Sequence, residues 1–531
     1  MLAVAIGIPY TMNAQSKFLK EFSVPSSGAR LALPPSNSIS HIAVSDSVIY
    51  IGTGRGFARS VNGGRSWASY RTDPAFANEG IFAIAANRET VWVSTGYNTE
   101  ISGGSVQTGS GYTFSVNGDT GWQHLPQTLD NRGDSIFRYC IPDSICINDS
   151  VWFLPVLVPE QNVTFDIALS EGTVWIASWA SGLRKSTDNG ATWQRILLPL
   201  DNMDTLRVSD TLWTYGSDAI TRYFKKFDPR KNNNLLAFSV HASDRNTIWC
   251  GTAGGINRST DGGTTWIKFN HRNQSHPILG NWIIAIREQN FNGTKRIWTT
   301  NWKAEDNAEE FGVSYTDDDG NSWNNLLNGV RAYDFAFKDS IAYIATDAGI
   351  YRTDNSGKSF IKISNFTDAS VHQSILSAQV FSVAVIGDTV FLGTNEGFVR
   401  TIDNFENPFG SVWAIGRTYE KVGASSKTYA YPNPFQPKTN LSDPEAYVRI
   451  HYGEKHTSAG STREVSIDIF DFGMNRVRTL INNATRQSNM EIDEMWDGRD
   501  DEGRIVANGV YFYSVKIDND EPIFGKILVL Q

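Results

Sequence analysis

Aspartates and a histidine recur at one register of a repeated strand pattern, and carboxylates ringed about an axis can do two kinds of chemistry. Aligning the repeated hairpins puts His41, Ala83, Asp166, Asp204, Ser239, Ile283, Asp334 and Ser382 at one equivalent position, two residues before a small or apolar residue. Asp166, Asp204 and Asp334 are the candidate catalytic carboxylates: two of them across a cleft would serve as general acid and general base, or the ring would hold a cation. His41, Ser239 and Ser382 stand beside them as candidate binding residues. The competing structural reading has these polar residues capping strand ends or bridging neighbouring sheets. Trp179 in SWASG and Trp302 in TNWKAEDNAEEF stand where a strand runs out into a loop. Exposed there, they would stack on sugar rings or anchor a protein partner; buried, they would pack between sheets.

The elements that position these residues are short alternating strands meeting at a polar dipeptide, as in AVSDSVIYIGT from Ala43, ALSEGTVWIAS from Ala168 and AFKDSIAYIAT from Ala336. Period-two alternation of this length predicts half-buried strands. A second pattern follows each pair. RSTDGGTTW from Arg258 returns as RSVNGGRSW, KSTDNGATW, YTDDDGNSW and RTDNSGKSF, with Asn62, Asp188, Asp261, Asp318 and Asn355 at the shared acidic or amide position. Such a side chain accepts hydrogen bonds from amides two or three residues ahead, and glycine tolerates the left-handed conformation that reverses the chain. Each copy therefore reads as strand, tight turn, strand, and the tryptophan after the turn supplies a large surface to bury.

Most hairpins lie about 37 to 50 residues apart, the period of a four-stranded propeller blade. The interval from about residue 87 to 170 is roughly twice that and contains a further hairpin, CINDSVWFLPV, which reads as part of a long insertion. The expected fold is an all-β propeller over residues 37–416. It has eight blades if the degenerate unit near Asp204 to Asp228 is real and seven if that unit is an insertion; eight is the preferred count.

Composition narrows the function classes. The 45 glycines, 29 phenylalanines, 19 tyrosines and 16 tryptophans suit many short strands joined by tight turns, and a net charge of −9 gives no basic footprint for nucleic acid. Nothing in the sequence calls for a cofactor, and the three cysteines have no metal-ligand spacing. Cys140 and Cys146 either pair in an oxidising compartment or stay as free thiols beside Cys250. The start, MLAVAIGIPYTMNAQ, reads as the end of a secretory signal cleaved after Ala14, or as an apolar tail; residues 15–36 form an extension. No segment approaches the roughly 18 apolar residues of a spanning helix.

The turn motif resembles the Asp-box, or bacterial neuraminidase repeat, of sialidases, sortilin-type receptors and photosystem assembly propellers. The resemblance implies a propeller whose boxes sit on the blade periphery and do no chemistry. A sialidase-like activity would need an arginine triad and an Arg-Ile-Pro segment, and the early segments GTGRGFARS and SYRTDP do not supply them. Function must then be argued from a site. The reading that comes first is non-catalytic binding of a glycan, an envelope component or a surface protein; the alternative is a glycoside hydrolase using the axial carboxylates.

After a polar linker, residues 417–428, the chain changes in kind. YAYPNPF, REVSIDIFDFG, MWDGRDDEGRIVANGVYFYSVKI and IFGKILVLQ alternate like the strands of a small antiparallel sandwich over residues 429–531. This segment resembles the immunoglobulin-like domain of flagellar hook-capping proteins and the type A sorting domain of type IX secretion. The sorting pattern corresponds to Pro432, Asn433 and Pro434, to Gly509 and Tyr511, and to Gly525 and Lys526; Ala507 stands where the pattern has Pro, and the chain ends on Gln531 where it has a basic residue. The resemblance implies export to the outer-membrane surface or beyond, with the secretion machinery as partner. The turn Asp497 to Gly503 lacks the spacing of a calcium loop and reads as a plain Asp/Gly turn.

Overall fold

The computed structural model describes residues 34–530, apart from 138–150, 418–427, 438–445, 454–461 and a few shorter breaks. The signal segment, most of the N-terminal extension and of the linker, Cys140 and Cys146 lie outside the described residues. Among those described there is no α-helix, only strands and two 3-10 turns, Pro74–Phe76 and Asn233–Leu235. No helix is long and apolar enough to cross a membrane.

Between Ile39 and Gly416, the described residues form seven antiparallel sheets on one four-strand plan. Their innermost strands are Ile39–Ser45, Gly80–Ala86, Thr164–Ser170, Ala237–Ala242, Ile286–Phe291, Ala332–Lys338 and Val380–Ile386, and the sheets are numbered here as blades 1 to 7 in that order. Each inner strand lies against that of the next blade, and that of blade 7 against blade 1, so the sheets close about an axis. The unit expected near Asp204 to Asp228 is no eighth blade. Thr205–Leu206 adds a fifth strand to the outer edge of blade 4, Trp213–Tyr215 pairs, among the described residues, with Arg222–Phe224 alone, and Lys226–Phe227 joins Val151–Phe153. Its segments are too short and too scattered in pairing to bury a face of their own.

The Asp-box turns join the third strand to the outermost one. In blade 4, Ser259 Oγ donates to Asp261 Oδ1 (2.8 Å) and accepts from the Gly263 amide (2.9 Å). Asp261 Oδ1 also accepts from the amides of Thr264 and Thr265, and Oδ2 from the Thr265 hydroxyl at 2.7 Å. Asp188 and Asp318 repeat this set except that the amide three residues on bonds their backbone carbonyl, and Asn62 and Asn355 repeat an amide version of it. Gly263 is needed twice over: its φ is +89°, and a Cβ there would lie 2.8 Å from the Trp175 ring of blade 3. The turn is thus both a closure of its own hairpin and the seat for a side chain of the preceding blade.

The C-terminal region is a two-sheet antiparallel sandwich. Thr428–Tyr431, Val448–Gly453 and Glu491–Trp496 form one sheet; Arg476–Gln487, Thr462–Phe470, Gly509–Ile517 and Ile523–Val529 form the other. Its own core gathers Phe435, Ile450, Ile467, Trp496, Tyr513 and Ile527. The turn after Asp497 is closed by its own chain: Asp500 Oδ1 accepts from the amides of Glu502 and Arg504, and Asp497 Oδ1 from the Arg499 amide and Arg478 Nη1.

Candidate functional site: the propeller axis

Six of the seven inner strands shift register by one residue near their start, between Ile39 and His41, Ile81 and Ala83, Thr164 and Asp166, Ala237 and Ser239, Ala332 and Asp334, and Val380 and Ser382. The bulge is what makes these positions equivalent, because each resumes pairing one step inside it. His41, Ala83, Asp166, Ser239, Asp334 and Ser382 therefore share one level of the axis. Two expected members do not. Asp204 lies at the outer edge of blade 4, where its carboxylate accepts from Asn273 Nδ2 at 2.9 Å. Ile283 precedes the level by two residues: Arg287 pairs with Trp298 as Ala168 pairs with Trp175, which puts Ala285 at the shared position of blade 5.

The carboxylates bridge blades and also meet on the axis. Asp166 of blade 3 accepts from the Val240 amide of blade 4 at 3.1 Å, and Asp334 of blade 6 from the Val383 amide of blade 7 at 3.4 Å. Ser239 Oγ likewise donates to the Ile283 carbonyl of blade 5 at 2.8 Å. Between the two aspartates stands Arg287 of blade 5, 3.5 Å from Asp166 Oδ2 and 3.2 Å from Asp334 Oδ1. Arg287 and Asp166 are two blades apart, so only the axis can bring them together. Burial pushes both carboxyls up, and the guanidinium pulls against it. His41 is held down to about 4 by burial and then by Arg287, so at neutral pH it is uncharged; its Nδ1 lies 3.0 Å from Ser40 Oγ.

Arg287 is the residue that sequence reading missed, and the signal was there. Two positions along from the shared level, five blades carry alanine (Ala43, Ala85, Ala168, Ala336 and Ala384), whereas blades 4 and 5 carry His241 and Arg287. Alanine suffices for packing, so those two side chains exceed what the fold requires. His241 Nε2 lies 3.6 Å from Glu288 Oε2, and the hydrogen bonds that Glu288 receives hold its carboxyl down to about 2 against the opposing effect of burial.

The residue that each bulge sets aside is Ser40, Phe82, Phe165, Phe238, Tyr333 or Phe381. Their rings touch from blade to blade: Phe82 and Phe165 at 6.2 Å between centroids, Phe165 and Phe238 at 5.7 Å, Tyr333 and Phe381 at 5.6 Å. They form an aromatic girdle at one mouth of the axis, interrupted at blade 1 by Ser40 and at blade 5 by Ile284, where Trp282 and Trp302 link Phe238 to Tyr333. Trp179 is half-buried within it, 4.9 Å from Phe238 and 6.1 Å from Trp282. Trp302 is 5% exposed, and its indole Nε1 donates to the Ala332 carbonyl of blade 6, so it packs between blades and is no surface anchor.

Two further polar clusters tie separate parts of the chain together. Asp130, from the insertion, is clamped by Arg184 and Arg195 and accepts from the Val156 amide, which pins the insertion to blade 3. Glu396 of blade 7 faces Arg417 at 3.2 Å and Arg449 of the sandwich at 3.7 Å. Among the described residues no His, Cys, Asp and Glu side chains group as a metal site would require.

No protein-family model matches the chain, and no curated protein does. In structure it is similar to a YCF48 protein bound to D1 peptide, at 14% identity and a TM-score of 0.41 over 72% of this chain and 99% of that one. It is also similar to PorZ, a surface component of the type IX secretion system of Porphyromonas gingivalis, at 13% identity and a TM-score of 0.32 over 93% of this chain and 75% of that one. An ancestral GH74 enzyme gives 16% identity and a TM-score of 0.49 over 92% of this chain and 62% of its own.

Proposed function

We propose that the protein is a non-catalytic binding protein of the cell surface or extracellular space, which recognises a glycan, an envelope component or a protein at the mouth of its axis. The observation that carries this reading is Arg287. A glycosidase needs two carboxyl groups free to exchange protons and room between them for the sugar. Here the guanidinium lies against both Asp166 and Asp334, and each carboxylate also accepts a backbone amide. Such an arrangement fixes blades and presents a rigid polar floor. The test is to apply the purified chain to immobilised glycans and host-surface proteins and to assay the same glycans for new reducing ends. Retention without cleavage is expected; reducing sugar released by the parent and lost in folded Asp166→Asn or Asp334→Asn protein would overturn it.

The sandwich is proposed to direct export, with Gly509, Tyr511, Gly525 and Lys526 in the recognised surface. Supporting this, Asn433 accepts from the Leu528 amide and donates to the Lys526 carbonyl, both at 2.9 Å, so the Pro-Asn-Pro segment and the last strand form one surface. Gly525 lies under Tyr513, with space for no Cβ (2.1 Å). Because Ile527 and Val529 are core residues, deleting the last strand would unfold the sandwich; exposed Lys526 is the better probe. Lys526→Ala should leave folded protein in the periplasm by cell fractionation, and normal surface display would contradict the sorting role.

A further inference from the structure

The girdle and the floor beneath it are adjacent in sequence, Phe165 before Asp166 and Tyr333 before Asp334, so an aromatic wall and a polar floor lie one residue apart along the axis. We infer that this mouth binds a neutral saccharide, ring face against the girdle and hydroxyls toward Arg287. The inference rests on the binding reading above and names the ligand class it takes.

Three observations select that class. Phe82, Phe165, Tyr333 and Phe381 are only half-buried, so apolar ring surface remains at the mouth, the kind of surface that takes the C–H face of a sugar ring. Arg287 keeps 36% of its side chain exposed while both neighbouring carboxylates hold it in place, which leaves fixed N–H donors for hydroxyl oxygens. The two carboxylates turn away an anion, and His41, held near 4, adds no positive charge at neutral pH to offset them; Arg287, the most exposed charge of the floor, is the group a cation meets first.

Calorimetry on the full chain tests this with neutral hexaoses of glucose, galactose, mannose and xylose beside a hexagalacturonate and a glucosamine hexamer. At least one neutral hexaose should bind more tightly than about 1 mM, and more tightly than both charged ones. Phe165→Leu and Phe381→Leu should weaken it roughly threefold to tenfold at unchanged melting temperature. Preference for either charged oligomer, no binding across the neutral set, or Leu variants that bind as the parent does would each overturn the assignment. A protein or peptide ligand found on the arrays would sink the saccharide while sparing the binding reading, whereas cleavage of a bound hexaose would sink that reading.

Discussion

The rim and the axis of this propeller are built from the same repeats yet obey opposite rules. At the rim, Asp188, Asp261 and Asp318 make the same hydrogen bonds in three blades, and Asn62 and Asn355 imitate them. At the axis, one register position holds histidine, alanine, aspartate or serine, and two residues on, five alanines give way to His241 and Arg287. A requirement of the fold falls on every blade alike, whereas a ligand approaching along the axis would touch blades unequally. Departure from the repeat is therefore the better guide to function in this chain.

The contrast breaks most visibly at Arg287. Its removal strands two buried carboxylates, and Arg287→Ala should cost about 3 kcal/mol by thermal or urea melting, the lower end for breaking a buried ion pair because the guanidinium is partly exposed. A carboxyl whose pKa is raised by folding binds its proton more tightly folded than unfolded, so stability falls as pH rises through the folded value. The deficit of Arg287→Ala should therefore shrink as pH is lowered toward 4, and a deficit independent of pH would show that the charges do not matter. Next in size is Gly263→Ala. The backbone strain at φ +89° together with the Trp175 contact should cost about 2 to 3 kcal/mol, with ligand binding intact in the folded protein.

His41 sharpens the pH side of the comparison. Held at about 4 in the fold against an ordinary value of 6.5, it stays neutral where the unfolded chain takes up a proton. Its contribution is complete above pH ~6.5 and fades as pH falls toward 4, up to about 3 kcal/mol. His41→Asn should remove that part of the acid sensitivity. Smallest is Asp261→Ala, about 1 to 2 kcal/mol, because the hydrogen bonds it makes to Thr264 and Thr265 are exposed.

The rim was legible in the sequence because its hydrogen bonds are local: donor and acceptor lie within four residues, and the motif prints them together. The bulged inner strands were legible only in part. Alternation located the level of His41, Asp166, Ser239, Asp334 and Ser382, but the described inner strand of blade 5 lacks the register shift of the others, and the alignment there slipped from Ala285 to Ile283. Asp204 looked like a member because the degenerate hairpins after it imitate a blade whose sheet never forms. Arg287 and the girdle escaped because their partners lie one or two blades away, about 50 to 120 residues in sequence, and closure of the ring alone brings them together. Of the two readings open for Trp302 the buried one holds, for a related reason: the next blade covers a strand exit that sequence alone leaves undecided.

The central claim is that recognition lies on the axis and the rim only holds the blades. The most direct test is calorimetric affinity for whichever ligand the arrays return, measured on folded Asp261→Ala and Arg287→Ala proteins below their melting temperatures. The account predicts parent-like affinity for Asp261→Ala and at least a tenfold loss, about 1.4 kcal/mol, for Arg287→Ala. Parent-like affinity in Arg287→Ala, with the loss appearing in Asp261→Ala, would contradict it.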